Sequence, residues 1–478
     1  MKSSRVLYYF DQITKIPRES GKEEQIIQYL IDFAKQHKLE YKKDDAGNVV
    51  ILKKGTLGRE NYPITVLQSH SDMVCEKNSD SDFNFDTDPI KYVEENGWII
   101  AKETTLGADC GIGIAAQLAI LESNEIEHGP IEALFTTEEE TGLTGAKSLK
   151  PGFISGNLLI NLDSEDEGEL FIGCAGGVDT TARFNYTPTS TDTSLKFYKI
   201  KFYGATGGHS GDDIEKERAN ANQLLFRYLY NLSLSVKFSL CSVDGGNKRN
   251  AIAREAYAII SLQESDVKTA EKLFNSTLDE VKAEHSISDP DLNGAWEDSP
   301  VLETKIDDIT AEKIIMSMNG VPHGVLAMSL DMKGLVETST NLASIKIEEI
   351  GIIRIGTSQR SSVNSARFNA ARRVESIFRL AGAVVTHESE YPGWKPKLDS
   401  YLLKITEQSY KDMFDKTPIV RAIHAGLECG MFLNIYPNLD MISFGPTIKG
   451  AHAPGERLEL ASLEKFWILL LDVLKKIE

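Results

Sequence analysis

Residues 106–123 read LGADCGIGIAAQLAILES, and the part after Cys110 is apolar nearly all round, the composition of a helix with no face left for water. Such a helix must be covered on every side, and the flanking sequence supplies the cover. Residues 49–52, 64–67, 131–135 and 158–160 are short apolar runs closed by turn residues, as strands buried on both faces are. Strand and helix in alternation predict an α/β domain: a mixed, mostly parallel sheet with helices on both faces. Upstream, Ser20 and Glu23 stand at capping-box spacing before Ile27, Leu30, Ile31 and Ala34, which predicts an amphipathic helix.

After about residue 186 the texture changes. FYKIKFYG and AIAREAYAIISL alternate apolar and polar residues like strands with one wet face, and the helical stretch ERANANQLLFRYLYNL separates them. A comparable order recurs in TSTNLASIKIEE, GIIRIGTS and ARFNAARRVESIFRL. These features predict an antiparallel α+β domain, built as one or two related units. SEYPGWKP then reads as a linker, and helix, strand (439–444) and a last amphipathic helix return to the first texture. The expected division is residues 1–186 and 387–478 for one domain, with 187–386 inserted into it.

At 478 residues the chain exceeds what one core usually supports, in keeping with two domains. No apolar run reaches the roughly 18 residues of a membrane span, and the N-terminus lacks the succession of a secretory signal. The five scattered cysteines form no C-x-x-C pair, which argues against a disulfide framework and for a reducing compartment, the cytoplasm. Lys+Arg 52 against Asp+Glu 71 gives a net charge of −19 with no basic run, so nucleic acid is excluded as a partner.

The apolar runs share a feature of another kind: each of four is followed by His, Asp or Glu, in SHSDMV, TTEEETG, NLDSEDEGE and, after a short loop, KGAHAPGERL. The carboxyl edge of an open α/β sheet is where its sites form, and Asp109 adds a ligand type just before the buried helix. His70, Asp109, Glu140, Asp163 and His452 make a nitrogen and oxygen set suited to zinc, manganese or cobalt. Five ligands are too many for one open catalytic zinc and fit two ions sharing a carboxylate. Asp109 is the expected bridge, with His70 and Asp163 on one ion and Glu140 and His452 on the other. Glu139 and Glu140 point to opposite sides if both are extended, leaving Glu139 free as general base. Asp72, two residues after His70, either orients the imidazole or is a turn carboxylate at the surface. His209, in GATGGHSG, either points into a site or is an ordinary turn histidine.

At these residues the sequence resembles the aminoacylase, carboxypeptidase G and dipeptidase superfamily of two-zinc peptidases, and within it the aminoacyl-histidine dipeptidases, or peptidase D group. The motifs SHSDMV, LGADCGIG, NLDSEDEGE, GCAGGVD, GATGGHSG, GGNKRNAIAREA, AIHAGLECG and MISFGPTIKGAHAPGERL carry the likeness nearly end to end. The resemblance implies a zinc-peptidase-like catalytic domain with an inserted lid domain, and hydrolysis of unblocked dipeptides, including Xaa-His and carnosine-like ones. It implies the same ligand set, a cis peptide after Asp109, His209 stabilising the tetrahedral oxyanion, and either dimers formed through the inserted domain or, given the size of this insertion, a cleft covered within one chain. Three consecutive glutamates, Glu138 to Glu140, leave a register one residue earlier open. Asn250, Arg360, His424 and Glu428 are expected substrate contacts, with Glu428 for the ammonium and Arg360 for the carboxylate. His37, His128, His285, His323 and His387 lie in no motif and read as surface residues. The rivals are an N-acyl amino acid amidohydrolase of the same superfamily, a metal-stabilised peptide-binding protein and a two-metal phosphoesterase, the last lacking basic residues near the ligands to hold phosphate.

Overall fold

The computed structural model describes residues 3–478, which divide into two compact units. The first comprises the chain up to Cys174 with Trp394–Ala422 and Leu427–Glu478; the second is Ala175–Gly393 with Ile423–Gly426.

In the first unit, an eight-stranded sheet runs in the order Glu40–Lys43, Val49–Lys53, Ile131–Thr136, Thr65–His70, Leu158–Asn161, Asp440–Ser443, Glu169–Cys174, Ile419–Ile423. The four strands from Ile131–Thr136 to Asp440–Ser443 pair in parallel, and antiparallel strands flank them. Every residue of Thr65–His70, Ile131–Thr136 and Leu158–Asn161 is buried, which is why these strands read as unbroken apolar runs. The helix Ala108–Glu122 buries every side chain from Cys110 to Leu121, as its composition requires. Asp109 and Cys110 have non-helical backbone angles, and the peptide between them is cis. A smaller sheet pairs Tyr92–Glu95 with Trp98–Ala101 and the hairpin Ile448–Lys449/Arg457–Glu459, whose loop carries His452.

A nine-stranded sheet forms the second unit, with antiparallel pairing throughout. Its two halves meet where Phe238–Gly245 pairs with Val336–Glu349, so the expected α+β units share one sheet. Helices Ala221–Ser233, Asp308–Gly320 and Asn364–Leu380 contribute to a core that includes Phe226, Leu229, Ile314, Leu342, Ile355 and Phe378. Full burial of such a side chain contributes about 1.5–3 kcal/mol.

The units divide at Ala175 and Gly393, not at residues 186 and 386. Strand Gly176–Asn185 pairs with both Ile352–Ser361 and Val384–Tyr391, and the three cannot be parted. The expected capping box is likewise absent. Helix Glu24–Gln36 has no side-chain cap, because Ser20 and Glu23 are engaged elsewhere. Among the histidines read as surface, His128 is fully buried with Nδ1 on the Gly129 carbonyl. His323 Nδ1 accepts from the Leu342 amide, and burial pushes its pKa down to about 4.

Candidate active site

The parallel strands deliver ligand-type side chains because each stops where its apolar run stops. His70 is the last residue of its strand; Glu139 and Glu140 follow Thr136 by three and four residues; Asp163 follows Asn161 by two. Asp109 precedes the regular part of the buried helix, and His452 comes from the hairpin loop, with φ 64°.

These residues converge, with Asp109 at the centre. Its Oδ1 lies 3.0 Å from His70 Nε2 and its Oδ2 lies 3.1 Å from His452 Nε2. His70 Nε2 is also 3.3 Å from Asp163 Oδ1, and His452 Nε2 is 3.0 Å from Glu140 Oε1. Two clusters therefore share one carboxylate: His70 with Asp163, and His452 with Glu140. Glu140, rather than Glu138 or Glu139, lies beside His452.

The donor set fits two cations. Glu140 Oε1 and Asp163 Oδ1 are buried without a hydrogen-bond partner, despite an imidazole nitrogen near each. Oxygens and nitrogens that converge with no hydrogen aligned between them are arranged as ligand atoms. Titration behaviour points the same way. Contacts with Asp109 and Glu140 push His452 up to about 11. Burial raises Asp109, yet its bonds to His452 and His70 hold it far below the usual carboxylate range. Asp163 is pushed up to about 7 by burial and by the Asp109 charge, against the pull of His70. The centre is short of positive charge, which divalent ions supply. Cys110 lies close to His70 and Asp163, but its buried thiol is raised well above its ordinary pKa and Sγ is 3.4 Å from the Leu162 carbonyl, so it is not a thiolate ligand.

Asp72 is not the turn carboxylate at the surface. It is fully buried; Oδ1 lies 3.2 Å from His70 Nδ1, off the line of a straight hydrogen bond, and accepts from the Glu139 amide at 3.0 Å. Its Oδ2 accepts from the Glu140 amide at 3.2 Å and the Ser20 hydroxyl at 2.7 Å. Glu23 takes the Glu138 amide at 2.8 Å, so carboxylates hold three consecutive amides of the glutamate turn. Burial raises Glu139 well above its usual pKa; His70 opposes this, while Asp163, Glu428 and Glu140 reinforce it. A carboxylate so placed is a strong proton acceptor once cations offset its neighbours.

Expected to receive an ammonium, Glu428 is instead 1% exposed, accepting from Gln68 Nε2 at 2.6 Å and Thr136 Oγ1 at 2.8 Å. Burial, partly opposed by His70, pushes it up to about 8. It ties together the two strands that carry His70 and the glutamate turn.

Within the second unit, Gly208–His209 pairs with Ala251–Ile252, and the Ser210 amide donates to the Asn250 carbonyl at 2.8 Å; the Asn250 side chain is exposed. His209 Nδ1 lies 3.1 Å from Asp212 Oδ2. Arg360 is buried, donates to the Tyr391 hydroxyl at 3.0 Å and stands opposite Ser339 in the sheet. Ser339 Oγ is 2.7 Å from His424 Nε2, and burial with the Arg360 cation pushes His424 down to about 3, keeping it neutral. The second unit thus gathers His209, Asp212, Arg360 and His424 into one group whose cation and N–H donors suit an anion.

Arg18, Ser20, Glu23, Gln68 and Glu456 escaped the sequence reading. Ser20 and Glu23 carried a signal, the S-x-x-E spacing, that pointed to a local cap; Glu456 lies within the His452 motif, and Arg18 and Gln68 stand in no pattern.

Residues 66–476 match peptidase family M20/M25/M40. The chain is 37% identical over 472 residues to the cytosol non-specific dipeptidase of Escherichia coli (strain K12), covering 98% of this chain and 96% of that one. The crystal structure of the aminoacylhistidine dipeptidase from Vibrio alginolyticus superposes with a TM-score of 0.95 at 39% identity, over 99% of this chain and 97% of that one. A Staphylococcus aureus tripeptidase, at 17% identity and TM-score 0.58 over 100% and 99% of the two chains, shares the fold. No described helix is long and apolar enough to cross a membrane. With a match spanning most of its length to a family of dinuclear metal-binding peptidases, the chain belongs to peptidase family M20/M25/M40 and is a hydrolase of peptide bonds.

Proposed function

We propose that this chain hydrolyses unblocked dipeptides, Xaa-His and carnosine-like dipeptides among them, at a centre holding two divalent ions, zinc first and manganese or cobalt as alternatives. The observation that carries the reading is the division of Asp109: one oxygen serves the His70 and Asp163 side, the other the His452 and Glu140 side. Metal-dependent dipeptide hydrolysis agrees with the dipeptidase relatives of this family.

His70, Asp109, Glu140, Asp163 and His452 would hold the two ions, which when bound would supply Lewis-acid polarisation of the scissile carbonyl and a more acidic water. Glu139 removes the proton from the attacking water and carries it to the leaving amine. Glu139 is separate from the ligands, so proton transfer does not disturb them. His209 donates to the oxygen that becomes negative in the tetrahedral state. Asp212, whose amide N–H and Oδ2 both lie beside Nδ1, fixes the plane of the ring and leaves Nε2 free for that bond. Arg360 pairs with the dipeptide's free carboxylate, aided by Asn250, while His424 stays neutral beside it. The enzyme acts in the cytoplasm, the compartment named for the Escherichia coli relative, and as a homodimer, one of the two arrangements the superfamily resemblance implies.

Glu139→Gln is the test. It is expected to retain two ions per chain by elemental analysis and to lose about 10²–10⁴ in turnover, the usual worth of a general base. Normal turnover in that variant refutes the base assignment. Rates on a dipeptide and on its N-acetylated form distinguish a dipeptidase from an N-acyl amino acid amidohydrolase, which prefers the blocked substrate.

A further inference from the structure

The segment that bears Asp109 is gripped by two buried opposite charges, Glu456 and Arg18, each 2% exposed. Glu456 Oε2 accepts from the amides of Leu106 at 2.7 Å and Gly107 at 3.0 Å; Oε1 accepts from Ala108 at 2.8 Å and Asp109 at 3.4 Å. Four consecutive N–H groups leading into the buried helix thus converge on one carboxylate. Arg18 holds the same segment through its carbonyls. Its Nη2 donates to the Gly107 carbonyl, and Nη1 donates to the backbone carbonyls of Ser71 at 3.2 Å and Asp72 at 2.5 Å. Gly107 therefore gives its N–H to Glu456 and its oxygen to Arg18.

The local sequence makes room for this grip. Gly107 has φ 66°, and a Cβ there would stand 2.5 Å from Arg18 Nη2; a Cβ at Gly111 would stand 2.7 Å from the same atom. Burying a carboxylate and a guanidinium is costly unless every oxygen and N–H is used. A fold that needed only to close a loop has cheaper means in glycine or asparagine. The distinguishing fact is what the grip joins. Asp109 lies between both ligand clusters, Arg18 spans to the His70–Asp72 turn, and Glu456 sits four residues after His452 at the end of the same hairpin loop.

We propose that Glu456 and Arg18 are positioning residues that set the shared carboxylate of Asp109 between the two ions, so that the second ion binds only with the bridge in place. The inference rests on the two-metal reading above and adds coupling between the sites, which that reading does not require.

The test uses manganese(II) as probe on the full metal-free chain, with binding followed by titration calorimetry and the loaded protein by electron paramagnetic resonance. The wild type is expected to take two ions and give the spectrum of an exchange-coupled pair. Glu456→Gln puts an NH2 against two of the four amides. It is expected to keep the first ion within about twofold, bind the second at least about tenfold more weakly and show uncoupled manganese. Glu456→Asp, which retains the charge on a shorter stem, is expected to recover part of the coupling; should the Gln variant fail to fold, the Asp variant, intermediate in second-ion affinity, carries the test. Wild-type affinity and a coupled spectrum in the variants overturn the proposal while leaving two-metal binding intact. Fewer than two ions on the wild type sinks the two-metal reading itself, and this inference with it.

Discussion

Replacing Asp72 by Asn removes one charge from a carboxylate that faces four donors, and the geometry says which contact fails. In one amide orientation the new NH2 takes the place of Oδ1 and meets His70 Nδ1 and the Glu139 N–H, neither of which can turn away. In the other it replaces Oδ2 and meets the Ser20 hydroxyl, which can rotate to accept, and the Glu140 N–H, which cannot. The second orientation wins, leaving one buried N–H unsatisfied at about 1–3 kcal/mol. The misplaced residue is Glu140, beside His452, and His70 loses a charged neighbour. Metal affinity should therefore fall by about 10–100-fold, measured by competition with a chelator, while turnover at saturating metal suffers less. A second readout follows from titration. Burial raises Asp72, but His70, Ser20 and the Glu139 amide outweigh it and bring the pKa from 3.8 to about 2. A carboxyl lowered in the folded state adds stability above its unfolded pKa and loses it as pH falls through the folded one. Metal-free wild type should therefore shed about 2 kcal/mol between about pH 4 and 2 that Asp72→Asn never had. Unchanged metal affinity together with an unchanged acid-unfolding profile would refute the assigned role.

Two further outcomes are expected. His209→Ala should lower turnover by about 10²-fold or more, as loss of an oxyanion donor does, with metal content unchanged by elemental analysis; loss of metal instead would make His209 a ligand. Lys53 Nζ donates to the Ile120 and Leu121 carbonyls at 2.9 Å each and also to the Ser123 carbonyl, capping the end of the buried helix. Lys53→Met should destabilise the fold by about 2–3 kcal/mol in urea unfolding and leave metal affinity alone, and an unchanged midpoint would show that water replaces the cap.

How much was legible in the sequence depended on how far apart the partners lie. The candidate ligands His70, Glu140 and Asp163 could be found because each ends or closely follows an apolar run, and Asp109 because it stands at the head of the buried helix, local patterns whose spatial meaning is fixed by the parallel sheet. The supports could not. Ser20 reaches Asp72 across 52 residues and Glu23 reaches Glu138 across 115, yet their S-x-x-E spacing fits a local cap equally well. Pattern reading prefers the near partner; the fold chose the far one, because a helix end at the surface can be capped by water whereas the amides beside the ligands cannot.

The second unit shows the same limit in its polar strands. TSTNLAS and GIIRIGTS follow the same order as the strands read with one wet face, and Ser and Thr ordinarily face water. Thr340 and Gln359 are instead fully buried and paired across the two strands. Gln359 Nε2 donates to Thr340 Oγ1 at 3.1 Å and Thr357 Oγ1 at 2.8 Å, and its Oε1 accepts from Thr180 at 2.6 Å. Alternation announces two unlike faces without saying that the polar one is open. Hydrogen bonds that satisfy one another across neighbouring strands let it close, and the next cross-strand pair, Ser339 and Arg360, faces the other side of the sheet, beside His424. Buried on that face with an unpartnered Nε, Arg360 has donors to spare for a substrate anion. Removing that charge by Arg360→Met should therefore raise KM for a free dipeptide more than for one whose carboxylate is amidated.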